Sequence, residues 1–188
     1  MSLLYRTILR PAVFLQDSEK AHSRIISMLE RTSRSRFLSS LIGNLYGSPN
    51  LPTTNFSLDF SNPLGIAAGM DKNGSAVPAW QSIGYGFSEI GGVTLHEQPG
   101  NPKPRMFRAS AEKALVNRMG FNNIGAHALQ DKLKDWKDRG LWPDSPVGIN
   151  LGKSKITKLD SAPDDYSGSL EILWKHADFF VINVSSPN

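Results

Sequence analysis

The sequence contains no cysteine among its 188 residues. This absence excludes disulfide bonds, metal sites built on thiolates, and a cysteine acting as a catalytic nucleophile or base, and it fits an intracellular location. No apolar run approaches the ~20 residues that a membrane-spanning helix requires. The first residues also lack a basic segment followed by a long apolar stretch and a small-residue cleavage site, so we expect no signal peptide.

Net charge is absent from most of the chain. Residues 51–188 hold 14 basic and 14 acidic residues, whereas residues 1–50 hold seven basic and three acidic ones. The net charge of +4 therefore lies entirely in the first 50 residues. Such a bias indicates an anionic partner for that segment, either a lipid surface or a nucleic acid. Charge alone favours the simpler interpretation, which is a solvated helix face.

The composition is that of a globular protein, with 39% hydrophobic and 20% charged residues. Three amphipathic helices are predicted before residue 47. Leu4, Ile8 and Leu9 give an apolar edge to a first helix that Pro11 interrupts. Asp17 is a suitable N-cap for the second helix. The apolar stripes of the second and third helices comprise Ala21, Ile25, Met28 and Leu29, and Phe37, Leu38, Leu41, Ile42 and Leu45. These helices can form a small packed cap or a membrane-surface element.

From residue 55 onward, predicted strands alternate with predicted helices. The strands are 56–60, 64–69, 85–94, 146–150 and 179–182, the helices are 76–83, 124–137 and 164–174, and a hairpin spans 105–117. The first strand alternates at period two, and the last is an apolar run that we expect to be buried on both faces. Repeated β-then-α units of this length predict an α/β fold with parallel strands joined by right-handed crossovers.

Each of the last four strands ends in polar or glycine-rich sequence, at 67–72, 91–94, 150–153 and 183–188. If these strands are parallel, their ends converge on one face, where sites of α/β folds lie. The converging lysines, asparagines and serines suit a planar, polar, partly anionic ligand, and glycines allow the backbone to approach it closely. Taken singly, Lys72 is also explained as a surface lysine, and Gly91–Gly92 as a bulge.

Five motifs carry a resemblance to a known family. They are NPLGIAAGMDKNG at 62–74, GNPKPRMFR at 100–108, NRMGFN at 117–122, GINLGK at 148–153 and NVSSPN at 183–188. In this order and spacing, from about residue 17 onward, the chain resembles quinone-dependent (class 2) dihydroorotate dehydrogenase. The resemblance implies a (β/α)8 TIM barrel with FMN at its C-terminal face, preceded by a small helical domain that docks on a membrane and forms a quinone tunnel. We therefore expect residues 1–50 to form this cap, and residues 51–188 to form the first half of the barrel.

The resemblance also implies roles for individual residues. The implied FMN contacts are Ala68, Gly69, Met70, Asp71, Lys72, Gly92, Asn150 and Asn183. The implied substrate contacts are Lys72, Asn117, Arg118, Met119, Gly120, Phe121, Asn183 and Asn188, with Ser186 as the catalytic base. His22 and Arg108 resemble residues that line the quinone tunnel, and no metal ligand is implied. At Gly92 the family usually has Ser or Thr, so a side-chain hydroxyl contact is lost here while a backbone contact can remain.

The implied reaction is oxidation of dihydroorotate to orotate in pyrimidine synthesis, with loss of a hydride from C6 to FMN and of a proton from C5 to a base. The soluble class of the family uses cysteine as this base, so the absence of cysteine favours Ser186. A membrane quinone as final oxidant accounts for the basic cap, because each Lys or Arg contributes ~1 kcal/mol near an anionic surface. We expect a peripheral membrane protein on the cytoplasmic face of a bacterial inner membrane, or alternatively on the mitochondrial inner membrane.

A (β/α)8 barrel typically needs ~250 residues, and about half of one is present here. The remaining half is a separate chain, or the chain is a true fragment that pairs with itself, or it is an inactive truncation. We favour the first. Two other functions stay open, a non-catalytic half-barrel with a structural or binding role and a basic nucleic-acid-binding module. The last lacks a helix-turn-helix, zinc-ligand or aromatic RNA-reading motif, so we expect no nucleic-acid partner.

Overall fold

The computed structural model describes residues 3–47 and 50–185. Its helices are α1 (Arg10–Phe14), α2 (Ser18–Ser33), α3 (Arg36–Tyr46), α4 (Val77–Ser82), α5 (Gly125–Asp138) and α6 (Ala162–Leu173). Its strands are β1 (Thr53–Asn55), β2 (Leu58–Phe60), β3 (Gly65–Ile66), β4 (Phe87–Val93), β5 (Met106–Ala109), β6 (Ala114–Asn117), β7 (Val147–Gly152) and β8 (Phe179–Asn183).

The central sheet contains β3, β4, β7 and β8, which pair in that order and are all parallel. Helix α4 connects the first pair of strands, and α6 connects the last pair. The longer connection between β4 and β7 contains the antiparallel hairpin β5–β6 and then α5. Each strand therefore starts at the same end of the sheet as its neighbour, and this arrangement is the predicted first half of a (β/α) barrel.

Alternate residues of the strands build the core beneath the helices. Val147, Ile149 and Leu151 of β7 are fully buried on the face that α5 and α6 cover. The same cluster contains Ile90, Val93, Leu129, Leu133, Trp136 and Leu173. Because strand side chains alternate between faces, the intervening residues of β4 and β7 must face the opposite, inner side of the sheet.

Three aromatic rings pack along the inner side at the amino ends of the strands. The rings of Phe60 and Phe87 lie 5.5 Å apart, and those of Phe87 and Phe179 lie 6.3 Å apart, both edge to face. Glycines make room for these rings, since a Cβ at Gly65 or Gly148 would lie 2.3 or 2.2 Å from an aromatic carbon. This aromatic floor confines polar groups of the inner face to the carboxyl-end half of the sheet.

The N-terminal helices pack on the rest of the structure through both α2 and α3, which contact α4. Ile26 and Leu29 of α2 pack against the buried Trp80 of α4. The exposed apolar residues of the helices include Leu4, Ile8, Leu15, Phe37, Leu41 and Leu45. Exposed arginines on the same helices are Arg6, Arg10, Arg24, Arg31 and Arg36. The predicted apolar stripe of α3 is thus largely solvent-facing, and the domain boundary expected at residue 50 stays a prediction.

Two predictions about local structure are wrong in detail. Pro11 does not interrupt the first helix, because a wider π-helical turn at Tyr5–Leu9 leads directly into α1 and puts Pro11 in its first turn. A missing backbone N–H is tolerated there. The segment 56–60 is not one strand, since Phe56 and Ser57 have positive φ and form the turn between β1 and β2.

Two strands of the sheet are also less regular or less buried than predicted. The strand expected at 64–69 contains only Gly65 and Ile66, and the rest of that segment forms turns. Strand β8 is half-buried rather than buried on both faces, because within the described residues it pairs with β7 alone. The other predicted helices and strands, the 105–117 hairpin and the Asp17 N-cap of α2 are confirmed within a few residues.

We predict that Leu133→Ala lowers the free energy of unfolding by about 2–5 kcal/mol, the range for truncating a buried leucine. Leu133 is fully buried in the core cluster between α5 and the sheet, and its removal leaves a cavity there. Urea denaturation monitored by tryptophan fluorescence measures the change. Lys134→Ala on the next, exposed position is the control, and an equal effect of both substitutions would contradict this account of the core.

Candidate active site

A cavity of about 200 Å³ lies where the strand ends meet, and we call it the strand-end cavity. It is lined by Ala68, Gly69, Lys72, Gly92, Asn117, Met119, Gly120, Phe121, Asn150 and Asn183. Every lining residue is one that the family resemblance singled out. The residues follow β3, belong to the end of β4, lie on β7 and β8, or come from the end of β6 and the segment after it. Convergence of the four strand ends is therefore confirmed.

Asn150 and Asn183 meet inside this cavity because β7 and β8 are neighbours. The Asn183 side chain donates from Nδ2 to Oδ1 of Asn150 at 3.1 Å. Asn150 in turn donates from Nδ2 to Oε1 of Glu89 on β4 at 2.7 Å. Sequence reasoning missed Glu89, although an acidic residue within an otherwise apolar strand is a signal of an inward-facing polar site.

The loop after β3 contributes open backbone at Gly69 and the side chain of Lys72 to the cavity. Gly69 has φ +99°, and a Cβ built on it would have no heavy atom within 4 Å, so the backbone is open to the cavity here. Lys72 Nζ donates to Oδ1 of Asn122 at 2.8 Å. Burial lowers the pKa of Lys72, and the nearby Arg105 cation lowers it further.

Asp71 belongs to the same loop but its side chain is engaged in the fold. Its carboxylate accepts from the backbone N–H groups of Ser75 and Ala76, each at 2.8 Å, and from Nε1 of Trp80 at 3.2 Å. Burial raises the pKa of Asp71, while these hydrogen bonds oppose the rise. Any ligand contact by Asp71 would therefore come from its backbone.

The segment after β6 forms another wall of the cavity. Met119 is buried, and Gly120 and Phe121 both have positive φ, which turns the chain sharply toward the sheet. Arg118 does not line the cavity, because its guanidinium donates from Nη2 to the carbonyl of Pro104 at 3.1 Å.

Amide side chains from the loop between β4 and β5 hold this wall in place. Gln98 donates from Nε2 to the carbonyls of Gly120 at 3.3 Å and Phe121 at 3.0 Å. Asn101 donates from Nδ2 to the carbonyl of Arg118 at 2.8 Å. Neither residue was singled out from the sequence, because their partners lie about twenty positions away along the chain.

A larger cavity of about 640 Å³ separates α2 from the strand ends, and we call it the cap cavity. It shares Ala68, Gly69, Lys72, Asn117 and Met119 with the strand-end cavity, so the two cavities adjoin. Met70, Asp71 and His22 line the cap cavity but not the strand-end cavity. Helix α2 therefore forms one wall of a space that leads to the strand ends.

A buried ion pair fastens this wall. Arg105 Nη2 lies 2.8 Å from Oε1 of Glu19, and the two side chains are only 7% and 12% exposed. Arg105 also donates from Nη1 to the carbonyls of Pro99 at 2.6 Å and Asn101 at 2.9 Å. The hydrogen bond from Arg105, with its charge and that of Lys103, holds the pKa of Glu19 below its ordinary value despite burial.

His22 lies one helical turn beyond Glu19 and faces the cap cavity. Burial lowers the pKa of His22, and the Lys72 cation lowers it further, whereas Asp71 and Glu19 act in the opposite direction. The imidazole is therefore neutral at pH 7, and it offers one donor and one acceptor to a ligand.

Arg108 lines a third cavity, of about 670 Å³, which we call the arginine cavity. Its guanidinium donates from Nη1 to the carbonyl of Gln16 at 2.6 Å and lies 4.8 Å from the centre of the Phe14 ring. The cavity is also lined by Arg6, Arg10 and Lys113. Leu115 lines both this cavity and the cap cavity, so His22 and Arg108 lie in adjoining spaces.

Ser186 and Asn188 lie outside the described residues. The chain leading to them is described as far as Ser185, which donates from its backbone N–H to Oδ1 of Asn183 at 3.0 Å. Lys153 points away from the cavity, because its Nζ donates to the carbonyls of Ser154 and Thr157. Within residues 3–47 and 50–185 no group of three or more His, Asp or Glu could hold a metal ion.

Comparisons with known proteins agree on one family. A sequence profile described as dihydroorotate dehydrogenase matches residues 50–188. A dihydroorotate dehydrogenase (quinone) from Gloeobacter violaceus is 50% identical over 190 residues, which cover 98% of this chain and 51% of that protein. A protein of the same name from Chloroflexus aurantiacus is 47% identical, over 100% of this chain and 52% of its own length. The crystal structure of DHODH from Eimeria tenella in complex with ferulenol matches with a TM-score of 0.75 and 35% identity, over 92% of this chain and 45% of that chain. The chain thus spans about half the length of the curated relatives it matches.

We predict that Glu19→Gln destabilises the protein at neutral pH by about 3 kcal/mol, the lower end of the cost of leaving a buried charge unpaired. Because folding lowers the pKa of Glu19 below its ordinary 4.5, the ion pair contributes fully above that pH. Its contribution is lost as the pH falls through the folded-state pKa. Urea denaturation between neutral and acidic pH should show wild type and Glu19→Gln converging in acid.

Glu30→Gln is the matched control for this measurement. Glu30 lies on the same helix and pairs with Arg34 at 3.2 Å, but both side chains are substantially exposed. Exposed pairs contribute about 0–1 kcal/mol. If the free energies of unfolding of wild type and Glu19→Gln differed by the same amount at every pH, the ion pair with Arg105 would not be the cause of the pH dependence.

Proposed function

The chain belongs to the dihydroorotate dehydrogenase family, and we propose that it forms the FMN- and substrate-facing first half of a barrel that oxidises dihydroorotate to orotate. In this proposal, the remaining strands lie on the same or a separate polypeptide, and a membrane quinone is the final oxidant in pyrimidine synthesis. The observation that carries the proposal is the strand-end cavity, because residues at the ends of four strands and from the 117–121 segment converge there.

The residues present fit FMN. Gly69 leaves open backbone beside the cavity, and the Cβ position of Gly92 is 3.3 Å from the Asn150 side-chain oxygen, so a flat ring system can approach both strand ends. Asn150 and Asn183 offer amide donors and acceptors for the heteroatoms of such a ring. Once bound, FMN would supply the two-electron acceptor that protein side chains lack.

Dihydroorotate carries a carboxylate and an amide-rich ring, and the cavity offers a partner for each. Lys72 is half-buried at the junction of the two cavities, where its cation offsets the substrate carboxylate. Asn117 and Asn183 present amides that can read the ring edge, and we assign Asn188 the same role. Met119 and Phe121 exclude water from the site, which strengthens these polar contacts.

Oxidation requires that C6 lose a hydride and C5 lose a proton, and we assign the proton to the hydroxyl oxygen of Ser186. A serine hydroxyl is a weak base at its free pKa, so it needs a path that carries its own proton away. Ser185 is bonded through both its N–H, at 3.0 Å, and its Oγ, at 2.6 Å, to Asn183 Oδ1. This anchoring fixes Ser185, which directly precedes Ser186 in the chain.

Quinone access is assigned to the cap. Within the described residues no helix is long and apolar enough to cross a bilayer. The exposed leucines, isoleucine and phenylalanine of the cap, with the arginines beside them, suit helices that lie in the plane of an anionic membrane surface. The arginine cavity and the cap cavity adjoin at Leu115, and we assign to them the path from this surface past Arg108 and His22. We propose peripheral binding to the cytoplasmic face of a bacterial inner membrane.

The proposal predicts a yellow protein. The complete protein, purified with the remaining barrel strands present, should carry FMN absorbance that dihydroorotate bleaches without oxygen. Ser186→Ala should keep the FMN but slow bleaching by about a hundredfold or more, as expected for loss of a general base. Stopped-flow absorbance measures the rate. Ser167→Ala, an exposed serine on α6, is the matched control. Colourless protein would refute the enzyme, whereas normal bleaching in Ser186→Ala would refute only the assigned base.

We also predict that replacing Leu4, Ile8 and Leu15 together by serine weakens membrane binding by about tenfold or more, since buried apolar area drives such binding. The three side chains are 57%, 60% and 90% exposed. Co-sedimentation with vesicles of phosphatidylcholine and phosphatidylglycerol measures the change. Ile156→Ser with Leu159→Ser removes similarly exposed apolar side chains outside the cap and serves as control. Equal losses in both variants would contradict docking through the cap.

A further inference from the structure

Glu89 is a charged residue on the inner face of β4, two positions beyond Phe87 of the aromatic floor. Its Oε1 accepts from Asn150 Nδ2 at 2.7 Å, across the β4–β7 pair. Glu89 is half-buried. Removing a carboxylate from water costs free energy, and a hydrogen bond to a neutral amide offsets that cost less than a charged partner would. Its presence here therefore suggests a role other than stability.

The hydrogen bonds around Glu89 all run in one direction. Asn150 donates to Glu89, Asn183 donates from Nδ2 to Asn150 Oδ1 at 3.1 Å, and Ser185 donates to Asn183 Oδ1. A second bond from Ser185 Oγ to the same oxygen is 2.6 Å long. The chain of donors thus begins in the segment after β8 and ends at the carboxylate.

We call this chain of hydrogen bonds, from Ser185 through Asn183 and Asn150 to Glu89, the relay. Its direction depends on Glu89, the one member that cannot donate. An asparagine amide can rotate by half a turn with almost no change in shape, which exchanges its donor and its acceptor. An ionised carboxylate offers acceptors only, so Asn150 must direct Nδ2 toward Glu89. Its Oδ1 then faces Asn183, which must direct its own Nδ2 toward Asn150.

We propose that Glu89 is a positioning residue that sets the donor and acceptor directions of Asn150 and Asn183 in the strand-end cavity. This inference rests on the proposed function, in which both amides contact the FMN ring and Asn183 also contacts the substrate ring. The edges of both rings carry C=O and N–H groups. If either amide were reversed, donors would face donors, and a buried polar group would lose its hydrogen bond. Glu89 would thereby act on ligand selection without touching the ligand.

Two substitutions separate positioning from stability. Glu89→Leu removes the acceptor at similar volume, and Glu89→Gln keeps one acceptor but adds a donor and removes the charge. In the FMN-loaded holoenzyme, we expect the dissociation constant of orotate, read from the flavin absorbance, to rise about tenfold to a hundredfold in Glu89→Leu, the range for loss of one hydrogen bond to a charged group. The dissociation constant should rise less in Glu89→Gln, because a neutral acceptor remains.

Two further measurements test whether misdirected amides cause the change in orotate affinity. In heteronuclear NMR the side-chain NH₂ signals of Asn150 and Asn183 should shift and exchange faster in Glu89→Leu, whereas the midpoint of thermal unfolding should fall only by the small amount expected for one unpaired buried amide. Glu97→Leu and Glu97→Gln, at an exposed carboxylate in the loop after β4, are the matched controls, and they should change none of the three measurements.

Wild-type orotate affinity together with unshifted Asn150 and Asn183 signals in Glu89→Leu would overturn the inference. If Glu89→Leu does not fold, Glu89→Gln decides, and an orotate dissociation constant equal to that of Glu97→Gln overturns it. Wild-type protein that binds neither FMN nor orotate would refute the proposed function instead. In that case the NH₂ signals still test the relay, since they require no ligand.

Discussion

Parallel pairing of β4, β7 and β8 is the constraint on which the rest of the structure depends. It sets Gly91 opposite Asn150 and Gly152 opposite Asn183. Strands that run in the same direction deliver their last residues to the same edge, so a polar residue at each strand end becomes part of one site without any contact between the loops themselves. A shift of one residue in either pairing would turn Asn150 or Asn183 toward the helices and dismantle that site.

The two faces of the sheet meet opposite physical demands with alternating residues. Toward the helices, Ile90, Val147, Ile149 and Leu151 close-pack with apolar side chains of α5 and α6. On the inner face, the aromatic floor gives way to carboxylate and amide groups at the carboxyl ends. Such groups are tolerated in a low-dielectric environment only when each has a partner, and a satisfied network is rigid for the same reason. The relay from Glu89 to Asn183 meets that requirement with residues from three strands.

Helices α1, α2 and α3 contact the rest of the structure at several points, and many of their apolar side chains stay exposed. Trp80 packs against α2 at one point, and the Glu19–Arg105 pair fastens the first turn of that helix at another. Further contacts come from Arg36 of α3, which donates to the carbonyl of Gly140, and from Phe14 of α1, whose ring centre lies 4.8 Å from the Arg108 guanidinium. The anchored helix α2 thus forms one wall of the cap cavity, while many apolar and basic side chains of α1 and α3 remain exposed.

The amino-acid sequence by itself determined the order of helices and strands, the parallel sheet and the loops that carry polar residues. These follow from local periodicity and from motifs that lie within a few residues of one another. Only the tertiary structure decided which polar groups pair, since Glu19 and Arg105 are 86 positions apart and Glu89 and Asn150 are 61 apart. It also decided that Asp71 serves the fold through Trp80, and that β8 lies half-buried at an edge. Burial and hydrogen-bond partners depend on which residues packing brings together. Local sequence patterns do not reveal contacts between residues that lie so far apart along the chain.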